Sequence, residues 1–185
     1  LSGIIYLIVE DATDCELIRA ILSAKKISVQ VKPIISPGKT GGISRLSSKI
    51  DDLIRDAKTR LKEHDCIAVL YDADQHTDPN QTHQKKIVES CKQHKIKHIP
   101  AQDEVEAWVL ADSGVCKWLN QKQKNWDEAR KPKDTLDTWL KNNRKPSYYS
   151  GGRQDVLKNL VGDGDKYSDS MRAALKLLEG AACLK

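Results

Sequence analysis

Apolar positions along the chain fall into two regimes, short continuous runs alternating with helically spaced stripes in the first hundred residues and stripes alone afterwards. Ile4–Val9 is an unbroken β-prone run, the pattern of a strand buried on both faces. Leu17, Ile18, Ile21 and Leu22 then make one helical stripe, for which Thr13 or Asp14 is the expected cap. Ile27–Ile35 alternates loosely and predicts a second strand. After a Pro/Gly-rich loop from Ser36 to Gly42, Leu46, Ile50, Leu53, Ile54, Ala57 and Leu61 keep the spacing of a long helix. Cys66–Tyr71 predicts the third strand, a helix is expected near Gln81–Gln93, and Ile96–Ile99 predicts a short fourth strand.

After Pro100 the pattern predicts helices alone, at Glu104–Ala111, Thr135–Lys141, Gln154–Leu160 and Ser170–Leu178. Strands alternating with helices imply a mostly parallel four-stranded sheet with flanking helices and a helical C-terminal portion. The expected division is an α/β core over residues 1–112 and a basic helical extension over 113–185 packed on it. At 185 residues the chain can bury a core. No repeat or low-complexity linker interrupts it.

No apolar run approaches the roughly 20 residues that span a bilayer. Ile4–Val9 is too short for a signal peptide or anchor and ends in Glu10-Asp11. Five dispersed cysteines without a C-x-x-C pair argue against a disulfide framework and suit a reducing compartment, so a cytoplasmic protein is expected. The net charge is +5, and between Lys117 and Lys158 eleven Lys or Arg stand against five Asp or Glu. That stretch reads as a phosphate-holding surface or simply as a solvated one.

The carboxylates lie elsewhere. Glu10-x-x-x-Asp14 marks the end of the first strand, Asp72-x-Asp74 the end of the third, and Glu104-x-Glu106 follows the fourth. Ligands of open parallel sheets bind beyond the carboxyl ends of the strands, so all three groups belong to one edge. Alone, each has an ordinary reading: a helix-start carboxylate, a turn, a first helical turn. Together they would repel one another unless a hard cation such as Mg²⁺ or Mn²⁺ were held between them.

A Glu ending the first strand and an Asp-x-Asp ending a later one resemble the Toprim fold of topoisomerases, primases and nucleases. Val9-Glu10-Asp11-Ala12-Thr13-Asp14 is similar to that family's V-E-G-x-[ST]-D opening, with Asp11 where glycine is usual. Glu104-Val105-Glu106-Ala107-Trp108-Val109-Leu110-Ala111-Asp112 resembles the E-x-E-A-W-L-L-A-D stretch of small Toprim-like proteins found with ATPases of phage-defence type. These in turn are similar to the nuclease half of the overcoming-lysogenization-defect (OLD) family. The resemblance spans about residues 4–112.

It implies a divalent-metal-dependent endonuclease acting on DNA, less readily on RNA, with a possible ATPase partner. Glu10, Asp14, Asp72, Asp74, Glu104 and Glu106 would be its metal ligands, with Glu10, Asp72 and Asp74 catalytic. A basic residue near the leaving group is also implied. Lys133 is the first choice, and Lys131, Lys145 and Arg153 are further substrate-binding candidates.

Other readings compete. A non-catalytic module of the same fold could dock on an ATPase or nucleic acid. A receiver domain needs a Lys at the end of a later strand, and Ile99-Pro100-Ala101-Gln102 has none. Gly38-Lys39-Thr40 evokes a P-loop, but Pro33 stands where its first glycine belongs, which leaves Lys39 a looser phosphate contact. Cys91, His94 and His98 have the spacing of a zinc half-site with no fourth ligand nearby. Trp108 and Trp139 are expected in the core, and Trp126 is the most exposed tryptophan by its polar setting. Tyr148–Arg153 reads as a surface turn, with a substrate loop as the alternative. His76 and His83 receive no role.

Overall fold

The computed structural model describes residues 3–36, 42–73, 78–127 and 131–180, with only the backbone of 78–80. Its α/β core runs β1 (Ile4–Val9), α1 (Ala12–Ala24), β2 (Gln30–Ile35), α2 (Ile43–Arg60), β3 (Cys66–Ala73), α3 (Asp78–His94) and β4 (Lys97–Gln102). There follow α4 (Glu106–Leu110), α5 (Ser113–Trp118), α6 (Pro132–Asn142), α7 (Gly152–Asn159) and α8 (Asp169–Glu179). The four strands are all parallel, in the order β2-β1-β3-β4. This architecture is consistent with a Toprim-like α/β fold. Among the described residues no helix is long and apolar enough to cross a membrane.

The strand order has a chiral consequence. Parallel crossovers are right-handed, so α1, which carries the chain outward from β1 to β2, lies on one face. The crossovers through α2 and α3 run the opposite way and lie on the other face. The packing follows this division. Ile5, Leu7, Val9, Ala68 and Leu70 face α1, with Leu17, Ile18 and Ile21. Tyr6, Ile8, Val69 and Tyr71 face Ile50, Ile54 and Ala57 of α2 and Ile87 and Cys91 of α3. The direction of winding reverses between β1 and β3, which opens a crevice at their carboxyl ends.

One helix cannot cover a face four strands wide. The C-terminal part completes it: Leu136, Leu140, Tyr148, Val156, Met171 and Leu175 join the same apolar cluster as Leu7 and Leu70. Each fully buried Leu or Ile contributes about 1.5–3 kcal/mol of transfer free energy. Two buried aspartates fasten this layer. Asp112, fully buried at the start of α5, accepts backbone N–H groups from Gly114 (2.9 Å), Val161 (3.1 Å) and Gly162 (2.7 Å). Asp127 accepts from the Ser168 and Ser170 hydroxyls at 2.6 and 2.9 Å and from the Asp169 amide at 2.7 Å.

Several boundaries differ from those the sequence predicts. β2 begins at Gln30 because the Ile27 amide is donated to the Leu22 carbonyl in the turn that ends α1. β4 extends to Gln102 through Pro100, which an edge strand tolerates because its outer amide has no ladder partner to lose. The helix expected from Glu104 begins at Glu106, since the chain passes through a left-handed residue, Asp103 (φ 58°), before it can wind. Trp126 is half-buried, packed edge-on against Trp139 at 5.3 Å.

Asp112→Ala strands several buried amides at once and should cost about 2–4 kcal/mol. In a chain of this size that lowers the thermal midpoint by roughly 5–15 °C, as read by calorimetry.

Candidate active site

The strand ends place the carboxylates as the topology requires. Glu10 follows β1 directly, and its Oε1 accepts the Asp72 backbone amide of β3 at 3.1 Å, across the crevice. Asp72 in turn accepts the Val105 amide at 3.1 Å, which draws the segment after β4 over the strand ends. Glu104 accepts the Lys133 amide at 2.9 Å and so ties the first turn of α6 to the same rim. Asp14 accepts the Asp11 amide at 3.3 Å.

That last contact corrects the expected cap. Asp11 is the N-cap of α1, extended at φ −145° and ψ 164°, and its side chain accepts from the Thr13 amide. With Asp14 reaching back, the pair makes a capping box. Extended backbone at Asp11 suits any residue, so aspartate can stand where the resembling families have glycine.

Each of these four carboxylates therefore takes a backbone amide from a neighbouring segment. The amides do not cancel the cost of gathering them. Burial pushes the Glu10 carboxyl up to about 7, against the Asp72 amide and with added repulsion from Asp11. Burial and the Asp11 charge push Asp14 up to about 7 as well. Asp72 is held well above the usual carboxylate range by burial, then by the charges of Glu10, Asp14 and Glu106. Glu106, 6% exposed, is also raised by burial, with Lys133 the chief opposing charge. The positive end of α1 favours Asp14 in its charged form, and desolvation outweighs it.

Two cations meet this group. Lys133 lowers both Glu10 and Glu106, and its Nζ lies 4.5 Å from the centre of the Tyr149 ring. Arg153 lowers Glu106; its guanidinium donates to the Thr13 carbonyl and lies 3.9 Å from Glu16 and 5.6 Å from the centre of the Tyr148 ring. Its side chain is 14% exposed, and its Nε is buried without a hydrogen-bond partner. Arg153 thus pins the C-terminal layer to the first turn of α1.

The other candidates fall elsewhere. Lys131 is exposed on the rim, 3.6 Å from Asp134. Lys145 lies past the far end of α6, about 16 Å from its start by helical rise, over the Trp118 ring at 5.4 Å. Asp74, Lys39 and His76 lie outside the described residues. Cys91 is buried and His94 faces Asp51 at 3.4 Å, while His98 stacks on Tyr71. His83 meets the Ser47 hydroxyl at 2.7 Å. Among the described residues no group of three or more His, Cys, Asp or Glu is arranged to hold a metal ion as it stands.

Tyr148 and Tyr149 carry less signal in the sequence than their positions warrant. Instead of a plain surface turn, Tyr148–Ser150 forms one 3₁₀ turn that buries Tyr148 and leaves Tyr149 out. The glycine pair behind it is sterically required. Gly151 has φ 117°, and a Cβ on Gly152 would come within 2.3 Å of the Pro146 carbonyl oxygen.

A family model described as a protein of unknown function, DUF3226, matches residues 5–119. No curated protein and no solved structure matches the chain.

The raised carboxyls have a signed consequence. Asp14 holds its proton more tightly folded, at about 7, than unfolded, near 3.8. Its contribution to stability is therefore greatest below about pH 4, declines as pH rises toward 7, and is flat above. In metal-free protein kept in chelator, Asp14→Asn should melt a few degrees above wild type at pH 8, about 1–2 kcal/mol, with the gap closing toward pH 4. Equal melting of the two proteins across that range, by circular dichroism, would show that Asp14 is not strained in its charged form.

Proposed function

Because the chain belongs to that family, whose description assigns no activity, we propose from the site's chemistry that it is a divalent-metal-dependent nuclease. Its substrate is nucleic acid, DNA before RNA. The observation that carries the reading is Glu10 reaching across the β1–β3 crevice to the Asp72 amide, with Asp14 and Glu106 close enough to raise Asp72 further. Partly buried carboxylates that repel one another suit a hard cation better than any neutral ligand, because only a cation relieves both burial and repulsion.

The donor set is all oxygen, which fits Mg²⁺ or Mn²⁺ and not a thiophilic metal. Glu10, Asp14, Asp72 and Glu106 would hold the ion, with Glu104 and Asp74 as further candidates. Such an ion supplies an acidified water and charge neutralisation at the departing oxygen. The chain's own groups do the rest. Lys133, beside Glu10 and Glu106, supplies positive charge where the phosphate would lie. The backbone amides that now engage Glu10, Asp14, Asp72 and Glu104 hold these carboxylates in place for the ion. Arg153 keeps the first turn of α1, and with it Asp14, against the C-terminal layer. The exposed Lys131 extends the basic rim for the strand. An ATPase subunit, as in phage-defence systems, would be a partner on the same reading.

A second reading, a docking module that does not cut, draws on the absence of a preassembled three-residue metal group among the described residues. Calorimetric titration with Mn²⁺ and supercoiled-plasmid nicking separate the two. The nuclease should bind Mn²⁺ and nick plasmid, with chelator abolishing the activity. Asp72→Ala should lower nicking at least about 100-fold and Lys133→Ala about 10- to 100-fold. No Mn²⁺ binding and no cutting of plasmid, single-stranded DNA or RNA by wild type would leave the docking module standing.

A further inference from the structure

The most exposed large apolar side chain among those described is Tyr149, at 66%. Its setting differs from that of a stray surface tyrosine. Its neighbour in sequence, Tyr148, is 2% exposed and meets it edge-on, with ring centres 5.9 Å apart at 75°. The Lys133 ammonium lies 4.5 Å from its ring centre, and the Lys133 backbone is bonded to Glu104 at the rim of the carboxylate site. Gly151 and Gly152 fix the turn that buries one ring and presents the other, as their backbone geometry shows. The Tyr148 amide is anchored on Asp137 of α6 at 2.6 Å. Tyr149 is thus a braced aromatic surface, held out beside the acidic crevice with a cation over it.

We propose that Tyr149 is a stacking platform for an unpaired base, and that the site's substrate is single-stranded nucleic acid, or a strand opened next to the scissile bond. The inference rests on the nuclease reading for its placement and extends it to the substrate's form. Aromatic faces bind every base and so tolerate sequence, but in a duplex the base faces are covered by their neighbours. Lys133, serving both the ring and the carboxylates, sets the distance between the stacked nucleotide and the phosphate. A duplex offers Lys133 its phosphates and offers Tyr149 nothing.

The test measures binding apart from cutting. Fluorescently labelled (dT)₁₂, an abasic strand of the same length and a blunt 12-base-pair duplex are titrated in Ca²⁺, by anisotropy. The proteins are wild type, Tyr149→Ala, Tyr149→Phe and Tyr149→Trp, each checked for an unchanged thermal midpoint. Loss of one stacked base should weaken (dT)₁₂ binding by Tyr149→Ala about 5- to 150-fold. Binding of the abasic strand and the duplex should not change, and Tyr149→Phe and Tyr149→Trp should bind (dT)₁₂ as wild type does.

Equal losses on base-bearing and abasic strands, no loss with Tyr149→Ala, or no single-strand binding by wild type would each overturn the platform. The nuclease reading fails separately. A wild type that binds (dT)₁₂ through Tyr149 yet cuts nothing with Mn²⁺ loses the catalysis and keeps the platform. Asp72-dependent cutting with unchanged binding by Tyr149→Ala does the reverse.

Discussion

Burial of several carboxylates together at one sheet edge, with their mutual repulsion added, governs this molecule's central region. Glu10, Asp14, Asp72 and Glu106 are each driven toward the protonated form, with desolvation the leading cause. A protein selected for stability alone has no reason to gather them, because neutral residues in their places would relieve the cost. The surrounding architecture instead holds them in position. Amides from β3, the Val105 segment and the α1 cap each engage one oxygen of Glu10, Asp72 and Asp14, and the Lys133 amide of α6 engages the neighbouring Glu104. An amide supplies only partial positive charge, so it orients a carboxylate without neutralising it. The site is therefore ordered and short of positive charge.

The sheet explains why the site lies where it does. Right-handed crossovers on opposite faces require the chain to reverse its winding between β1 and β3, and the two strands there end side by side without a helix crossing over them. Glu10 and Asp72 are adjacent because of that reversal, though 62 residues separate them. The same topology leaves the α1 face incompletely covered. Leu136, Leu140, Val156 and Met171 bring apolar cover to that face. In doing so they carry Lys133 and Arg153 to the crevice. Core packing thus delivers the site's cations.

How much of this the sequence discloses depends on how local the signal is. β1 is legible because six consecutive apolar residues cannot amphipathically be anything else in this setting, and α2 because its apolar stripe runs long enough to fix the period. Starts and ends are less legible, since they hinge on single amides. Ile27 continues the apolar pattern into β2, yet its N–H ends α1. The convergence of Glu10, Asp72 and Glu104 is legible because each follows the carboxyl end of a strand in a sheet whose strand–helix alternation makes it parallel. The choice between Lys133 and Lys145 is not, because it turns on which way α6 points, and the place of Arg153 turns on how α7 packs against α1. Lys133 lies at the end tied to Glu104 and Lys145 at the other. Tyr148 and Tyr149, adjacent and chemically identical, go to opposite environments for the same reason: a tight turn, not composition, separates them.

The division of the chain into an α/β core and a basic helical extension is therefore one of sequence more than of chemistry. The family match ends at residue 119, so the described carboxylates of the crevice fall within it and Lys133, Tyr149 and Arg153 beyond. Without the later segment, Glu106 would lose the two cations that lower it, and the α1 face would expose much of its apolar surface. Arg153 shows the dependence most directly. A guanidinium with a buried, unpartnered Nε is costly in a surface helix, and its contacts with the Thr13 carbonyl, Glu16 and the Tyr148 ring offset that cost. Those contacts join α7 to the turn that carries Asp14. The helical portion is accordingly part of the site: removing it would take away the positive charge that lowers Glu106 and the Tyr148 ring against which Arg153 packs.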